Sequence, residues 1–162
     1  MLIRPATVAD IAGIMSLERQ SATAGHWTEE QYHHAFHREA VRRFVLVAED
    51  SPSVVSGVGT SPAAGSHILG FLVARHLAPE WELENIVVAP PARRKSIGTC
   101  LLDALLAAAR ETNSNAVFLE VREANAAART LYEKAGFQQS GRRKSYYTNP
   151  PEDAVLYRRI LP

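Results

Sequence analysis

A chain of 162 residues, 46% apolar and 22% charged, has the size and composition of one globular domain with one core. Its 18 basic and 17 acidic side chains leave a net charge of +1, without the basic excess of a dedicated nucleic-acid binder. The single cysteine, Cys100, excludes an internal disulfide and suits a reducing cytoplasm, no apolar run reaches the length of a membrane span, and the first residues show no signal-peptide pattern.

The opening stretch LIR, at 2–4, reads as a short strand. In TVADIAGIMSLERQ, Thr7 stands three residues before Asp10, and Ile11, Ile14, Met15 and Leu17 recur at roughly helical spacing. A helix capped by Thr7 is expected there. A second helix is expected over 28–40, TEEQYHHAFHREA, where Thr28 and Gln31 have capping-box spacing. RFVLVAE at 43–49 and HILGFLVAR at 67–75 read as buried strands. Residues 51–66 between them carry no charge and little but Ser, Gly, Pro, Ala and Val. They are too long for a hairpin loop. Both flanks look like strands of one sheet, so 51–66 reads as a mobile surface insertion within a single domain over 1–162.

WELENIVVA at 81–89 is the next strand, followed by PPARRKSIG and a helix with Leu101, Leu102, Leu105, Leu106 and Ala109 on one face. AVFLEV at 116–121 is a strand. NAAARTLYEKAG at 125–136 is a helix with Asn125 as N-cap and Gly136 just past its end. FQQSGRRKSYY and DAVLYRRIL close the chain as two strands. The order β-α-α-β-β-β-α-β-α-β-β implies an α/β or α+β domain with helices packed on a mixed sheet.

The turn between the strand at 81–89 and the Leu-rich helix holds three consecutive cations, Arg93, Arg94 and Lys95, then Ser96, Ile97, Gly98 and Thr99. A strand entering a helix through such a turn leaves unpaired amides and a helix dipole pointing at one spot, an anion site. Gly98 permits close approach of the backbone. Neither a P-loop nor a dinucleotide-binding glycine fingerprint is present. On composition alone the cations could equally form a solvated turn.

VVAPPARRKSIGTCLL resembles the acetyl-CoA-binding segment of the GNAT N-acetyltransferases, whose pattern [RQ]-x-x-G-x-[GA] here reads Arg93-x-x-Ser96-x-Gly98. Ser96 replaces the family's usual glycine. FLEVREANAAARTLYEKAGF, HWTEEQY and GRRKSYYTNPPEDAVLY are similar to the RimI-type ribosomal-protein-alanine N-acetyltransferases. His26 departs from that pattern, in which proline often precedes the Trp, and 51–66 stands outside it. The resemblance implies the acyl-CoA N-acyltransferase fold: a central, mostly antiparallel sheet, splayed at the cofactor site and flanked by helices.

It also implies roles. Acetyl-CoA would lie beside ENIVVA, with the backbone of Ile86, Val87 and Val88 on its pantetheine arm, its pyrophosphate on the 93–99 turn, and further contacts from Asn125 and Tyr132. Glu120 would be the base and Tyr132 the acid that protonates the departing thiolate; Glu82 is the second candidate base and Glu84 the third. Trp27, Tyr146 and Tyr147 would line the entrance for the amine, with Glu84 nearby. The residues alone leave each of these open: Glu120 could be a solvent-facing charge on a half-exposed strand, Tyr132 an aromatic packing its helix onto the sheet, and Asn125 a helix cap only. The substrate implied is the N-terminal amine of a protein, ribosomal by resemblance. An α-amine has pKa about 7.7–8.0 against about 10.4 for lysine, so a carboxylate acting through water suffices near neutral pH.

His33 and His37 are four apart, but the residue after the first is His34 rather than the Glu of zinc proteases, and no third ligand is evident. No metal is expected. Cys100 reads as a buried small side chain, and 141–145 as a basic run that is either solvated or faces a charged partner. A monomer or weak dimer without nucleic acid or membrane is expected. Rival readings are an enzyme of the same fold acting on a small amine or lysine, and a CoA-binding sensor without catalysis.

Overall fold

The computed structural model describes residues 1–21, 25–36, 43–50 and 67–162. Among them, β1 (Leu2–Pro5), β2 (Arg43–Glu49), β3 (Ile68–Leu77), β4 (Glu80–Val88), β5 (Ala116–Arg122), β6 (Gln138–Thr148) and β7 (Pro151–Ile160) form one sheet in the spatial order β1-β2-β3-β4-β5-β7-β6. The helices are α1 (Ile11–Arg19), α2 (Glu29–Phe36), α3 (Ile97–Glu111) and α4 (Ala126–Lys134). This is the expected mixed architecture and element order. The expected insertion at 51–66 and the continuation of the second helix past Phe36, His37 included, lie outside the described residues. No helix among the described residues is long and apolar enough to cross a membrane.

Every neighbouring pair of strands is antiparallel except β4 and β5. A parallel pair cannot be closed by a tight turn, and α3 supplies the crossover. Leu101, Leu102, Leu105, Leu106 and Ala109 of α3 are all buried, as their spacing required. α4 ends in a Schellman motif. The N–H of Phe137 donates to the carbonyl of Tyr132 at 3.0 Å, and that of Gly136 to Glu133 at 3.0 Å. Gly136 has φ +80°, a value that favours glycine.

Side-chain contacts assign the helices to faces. A Cβ on Gly70 of β3 would meet Ile97 and Leu101 of α3, whereas the next residue, Phe71, packs edge-on against Tyr32 of α2. Successive strand residues point to opposite faces, so α2 and α3 cover opposite sides of the sheet. Ala74 pairs with Leu83, Leu83 with Leu119 and Leu119 with Tyr157. Tyr157 in turn packs on Tyr132 of α4, which puts α4 on the α3 side.

Two irregularities in β4 shape everything downstream. Its ladder to β5 runs only from Glu80 to Leu83, although β4 continues to Val88 and β5 to Arg122. The two strands therefore part. Against β3, Leu83 pairs with Ala74 and Asn85 with Val73, leaving Glu84 as an extra residue in a bulge. The bulge shifts the phase of the strand. Glu82, opposite Arg75, and Asn85, opposite Val73, share the α2 face although they are three residues apart.

At the start of the chain the expected helix opens as a tight 3-10 turn over Val8–Asp10 before α1. The Asp10 carboxylate causes this: it accepts the Thr7 N–H at 2.7 Å and the Thr7 hydroxyl at 3.1 Å. It also receives both Nη atoms of Arg4, at 2.8 and 2.9 Å, and Arg4 continues to Glu49 on β2. The Arg4 hydrogen bonds hold the Asp10 carboxyl below its ordinary range. A depressed carboxyl contributes stability above its unfolded pKa of about 3.9 and loses it as pH falls through the lower folded value. Asp10→Asn is expected to lose about 1–3 kcal/mol at pH 7 and to show a flatter acid limb than the parent. Urea unfolding at stepped pH values measures both.

Candidate functional site

Where β4 and β5 separate, a cavity of about 430 Å³ opens. Strand β4 contributes Glu82, Glu84, Asn85 and Ile86 to its wall, and β5 contributes Glu120. Tyr132 and the cap residue Asn125 come from α4, Trp27 from the segment before α2, and Tyr146 and Tyr147 from β6. Glu120 follows Leu119, so it points to the α2 face together with Glu82, while Tyr132 lies on the α3 face. Carboxylate and phenol belong to opposite sides of the sheet and share a cavity only because the sheet is split there.

The carboxylates differ in their partners. Glu82 is held by Arg75 at 2.5 Å. Glu84 receives Arg43 at 2.8 and 3.2 Å and lies 3.5 Å from Arg75. Glu120 has a looser and more exposed cation, Arg143 at 3.1 Å with 54% of its side chain accessible. Its other partner is the Tyr146 hydroxyl, and that hydrogen bond pushes the Tyr146 pKa above the ordinary phenol value. Arg143, from the basic run at 141–145, thus sits at the site, while Arg142 pairs with Glu123 and Asp153.

Tyr132 is 5% exposed and packs between Phe137 and Tyr157, at 6.0 and 6.2 Å between ring centres. Burial pushes its hydroxyl well above the ordinary phenol range, with a smaller contribution from Tyr147. It is therefore fully protonated at neutral pH. The Schellman cap fixes its position from the backbone side, with Phe137 the apolar partner such a motif brings over it. Asn125 accepts the Ala128 N–H at 3.2 Å, the expected cap, and faces the cavity as well.

The aromatic rim depends on local backbone distortions. Tyr146 and Tyr147 are adjacent, yet both reach the cavity, because β6 slips register between Arg143 and Tyr147 around Ser145 at φ +50°. The Ser145 N–H donates to Asp153 at 2.8 Å, and Arg122 stacks over Tyr147 at 4.1 Å. His26, where the resembled pattern has proline, has φ +46°. Proline is locked near −65°, so this backbone turn excludes it. The reciprocal bonds between Thr28 and Gln31, at 2.7 and 3.2 Å, then start α2 as expected.

Of the cofactor-segment residues, Ile86 lines the cavity, Val88 is half-buried and Val87 is buried, its backbone on the parted edge of β4. Arg93, Arg94, Lys95 and Ser96 form an exposed turn, and Arg93 Nε donates to the Val88 carbonyl at 3.2 Å. The first hydrogen bond of α3 runs from the Cys100 N–H to the Ser96 carbonyl at 2.9 Å, so the amides of Ile97, Gly98 and Thr99 precede the ladder. Arg94 and Ser96 both have left-handed φ, +64° and +61°. Alternating backbone of this kind turns amides toward a common point and suits an anion. Gly98 lies close to α4: a Cβ there would stand 3.2 Å from the Leu131 side chain. Thr99 lies at a second cleft of about 330 Å³ between α3 and α4. Cys100 is half-buried rather than buried.

Sequence reasoning missed two polar residues. Glu18 of α1 is 2% exposed and accepts hydrogen bonds from the Tyr32 hydroxyl at 2.9 Å, the Trp27 N–H at 3.0 Å and Asn85 Nδ2 at 2.7 Å. Burial pushes its carboxyl above the usual range, against those three donors. The signal was present: Glu18 continues the apolar spacing of Ile11, Ile14 and Met15, a charged residue on the buried face. Asn85 was legible only as a polar residue within an apolar strand. Among the described residues no group of three or more His, Cys, Asp or Glu could hold a metal ion.

Comparison with known proteins agrees with this geometry. The Acetyltransferase (GNAT) family model matches residues 11–137. The [ribosomal protein bS18]-alanine N-acetyltransferase of Haemophilus influenzae is 38% identical over 94 residues, 56% of this chain and 64% of that protein. The crystal structure of the ribosomal-protein-S18-alanine N-acetyltransferase from Escherichia coli superposes with a TM-score of 0.73 at 26% identity, covering 98% of this chain and 92% of the other. Arabidopsis thaliana NAA60 in complex with acetyl-CoA shares the fold, with a TM-score of 0.83 at 15% identity over 99% and 98% of the two chains.

The left-handed Ser96 carries a testable cost. A non-glycine residue there costs about 1–2 kcal/mol, of which glycine recovers part after its own entropic penalty. Ser96→Gly is expected to raise Tm by about 2–4 °C for each kcal/mol recovered, read by calorimetry.

Proposed function

This chain belongs to the acetyltransferase (GNAT) family and is an N-acetyltransferase; we propose that the amine it acetylates is the N-terminal α-amine of a protein, in the manner of the RimI-type enzymes. The observation that carries the reading is the split between β4 and β5, which brings Glu120 and Tyr132 from opposite faces to one cavity rimmed by Trp27, Tyr146 and Tyr147. An aromatic, open rim of this kind suits the first residues of a peptide chain, and the relatives named for ribosomal protein bS18 support a protein acceptor.

Acetyl-CoA is the acetyl donor of the family, and the residues present fit it. The edge of β4 from Ile86 to Val88 has lost its β5 partner and can pair with the amides of the pantetheine arm. Arg94, Lys95, Ser96, Ile97, Gly98 and Thr99 would take the pyrophosphate on backbone amides at the start of α3, with Arg93 nearby.

In the proposed step Glu120 takes a proton from the acceptor ammonium, through a water molecule. The freed nitrogen attacks the thioester carbonyl carbon, a C–N bond forms and the C–S bond breaks. Tyr132 gives its hydroxyl proton to the leaving thiolate. The hydroxyl is protonated at neutral pH and so has a proton to give. The second proton the nitrogen then sheds passes through water to restore the Tyr132 hydroxyl, and the proton held by Glu120 leaves to solvent. Glu82, tied more closely to Arg75, is the second candidate base. Both substrates are bound together and no covalent enzyme intermediate is needed.

The test is mass spectrometry of a peptide panel with acetyl-CoA: an Ala-first peptide with a free N-terminus, the same peptide N-blocked but containing lysine, and a polyamine. A gain of one acetyl group on the free N-terminus alone is expected. Transfer only to lysine or polyamine would replace the acceptor assignment while keeping the chemistry. Glu120→Gln and Tyr132→Phe are each expected to lower kcat by about 10²–10⁴, with CoA affinity retained in titration calorimetry.

A further inference from the structure

An attacking amine must be held with its lone pair toward the donor carbonyl, which requires an acceptor for one of its N–H groups besides the base. We propose that Asn85 supplies this acceptor through its side-chain Oδ1, and that Glu18 is a positioning residue that fixes which end of the Asn85 amide faces the cavity. The inference rests on the amine-acetylating reading above and deepens it.

Asn85 is 7% exposed and part of the cavity wall, on the α2 face immediately after the β4 bulge. Its Nδ2 donates to Glu18 Oε1 at 2.7 Å. Glu18 Oε1 is the acceptor in that bond, so the NH₂ end of the amide is the one turned toward α1. The opposite end, Oδ1, has no donor among the described residues. An amide oxygen can receive a hydrogen bond but cannot take up a proton at neutral pH. It therefore orients an ammonium or amine without competing with Glu120 for the proton. The thioester oxygen, itself an acceptor, gains nothing from it.

Glu18 does more than hold one side chain. Its Oε1 also receives the Tyr32 hydroxyl, and its Oε2 receives the backbone N–H of Trp27, another residue of the cavity wall. One carboxylate thus ties the acceptor-side wall to the floor strand. Gly25 lies against the same amide, where a Cβ would be 3.3 Å from Asn85 Nδ2. All three donors to this buried carboxyl group come from the elements around the cavity.

The test uses steady-state kinetics with the free-N-terminus peptide, alongside the acetyl-CoA KM and CoA affinity. Asn85→Ala is expected to lower kcat/KM for the peptide about ten- to hundred-fold, the cost of one hydrogen bond to a charged group, with the acetyl-CoA KM unchanged. Asn85→Ser, which keeps an acceptor oxygen, is expected to recover part of the loss. Glu18→Gln, which releases the amide to turn, is expected to lower peptide kcat/KM in the same direction, and the double variant to be no worse than Asn85→Ala alone, because both act through one bond. If Glu18→Gln does not fold, the Asn85 pair decides by itself. Parental peptide kinetics in Asn85→Ala would overturn the inference, as would a parallel rise of both KM values with no recovery in Asn85→Ser. If the unsubstituted enzyme acetylates no amine, the functional reading has failed and this inference falls with it. That outcome is visible before any variant is made.

Discussion

The parting of β4 from β5 after four paired residues is the constraint on which the molecule depends. Each strand stays paired on its outer side, β4 with β3 and β5 with β7, to the end of its length. Their inner edges face each other without a ladder. Backbone amides and carbonyls in a protein interior require partners, so an opening of this kind is stable only where solvent or a polar, elongated ligand reaches it. The start of α3, the capped end of α4 and the aromatic rim are all arranged around that opening. The parallel pairing itself arises from the α3 crossover, which returns the chain at the far side of the sheet in the same direction.

The β4 bulge governs which charges meet there. By alternation alone, Glu82 and Asn85 would lie on opposite faces; one extra residue, Glu84, brings them to the same one. The α2 side of the opening then carries Glu82, Glu84 and Glu120, neutralised by Arg75, Arg43 and Arg143 respectively. The α3 side carries the buried phenol of Tyr132. Charge is concentrated on one face and a protonated, apolar-bodied phenol on the other. The buried Glu18 stands behind the α2 face of the sheet and joins α1, α2, the Trp27 segment and β4 through three hydrogen bonds.

Much of this architecture is legible in the amino-acid order. Alternation and helical spacing are local, so the strands, the four helices and their order can be read directly, as can the caps at Thr28, Asn125 and Gly136. The resemblance of 93–98 and 118–137 to GNAT segments supplies Glu120, Tyr132 and the aromatic rim as candidates, and the fold brings them to one cavity. The features that escape involve pairs far apart in the chain. Glu18 and Asn85 are 67 residues apart, and Arg143 reaches Glu120 only because β7 lies between β5 and β6. The bulge at Glu84 also escapes, since one extra residue leaves a strand's composition unchanged while turning every later side chain to the other face, as does the register slip around Ser145, where β6 takes four steps against two of β7.

The sequence by itself determined the elements, the family, the anion-suited turn at Arg93 to Thr99 and the candidate acid and base, because propensity, capping and motif spacing act over a few residues. Tertiary structure alone decided that β4 and β5 separate, that Ser96 and His26 take left-handed backbone, and that Glu120 and Tyr132 approach one cavity from opposite faces. Those outcomes depend on strand register and on which helix covers which face, and register is set by the summed packing of the whole sheet rather than by any one segment.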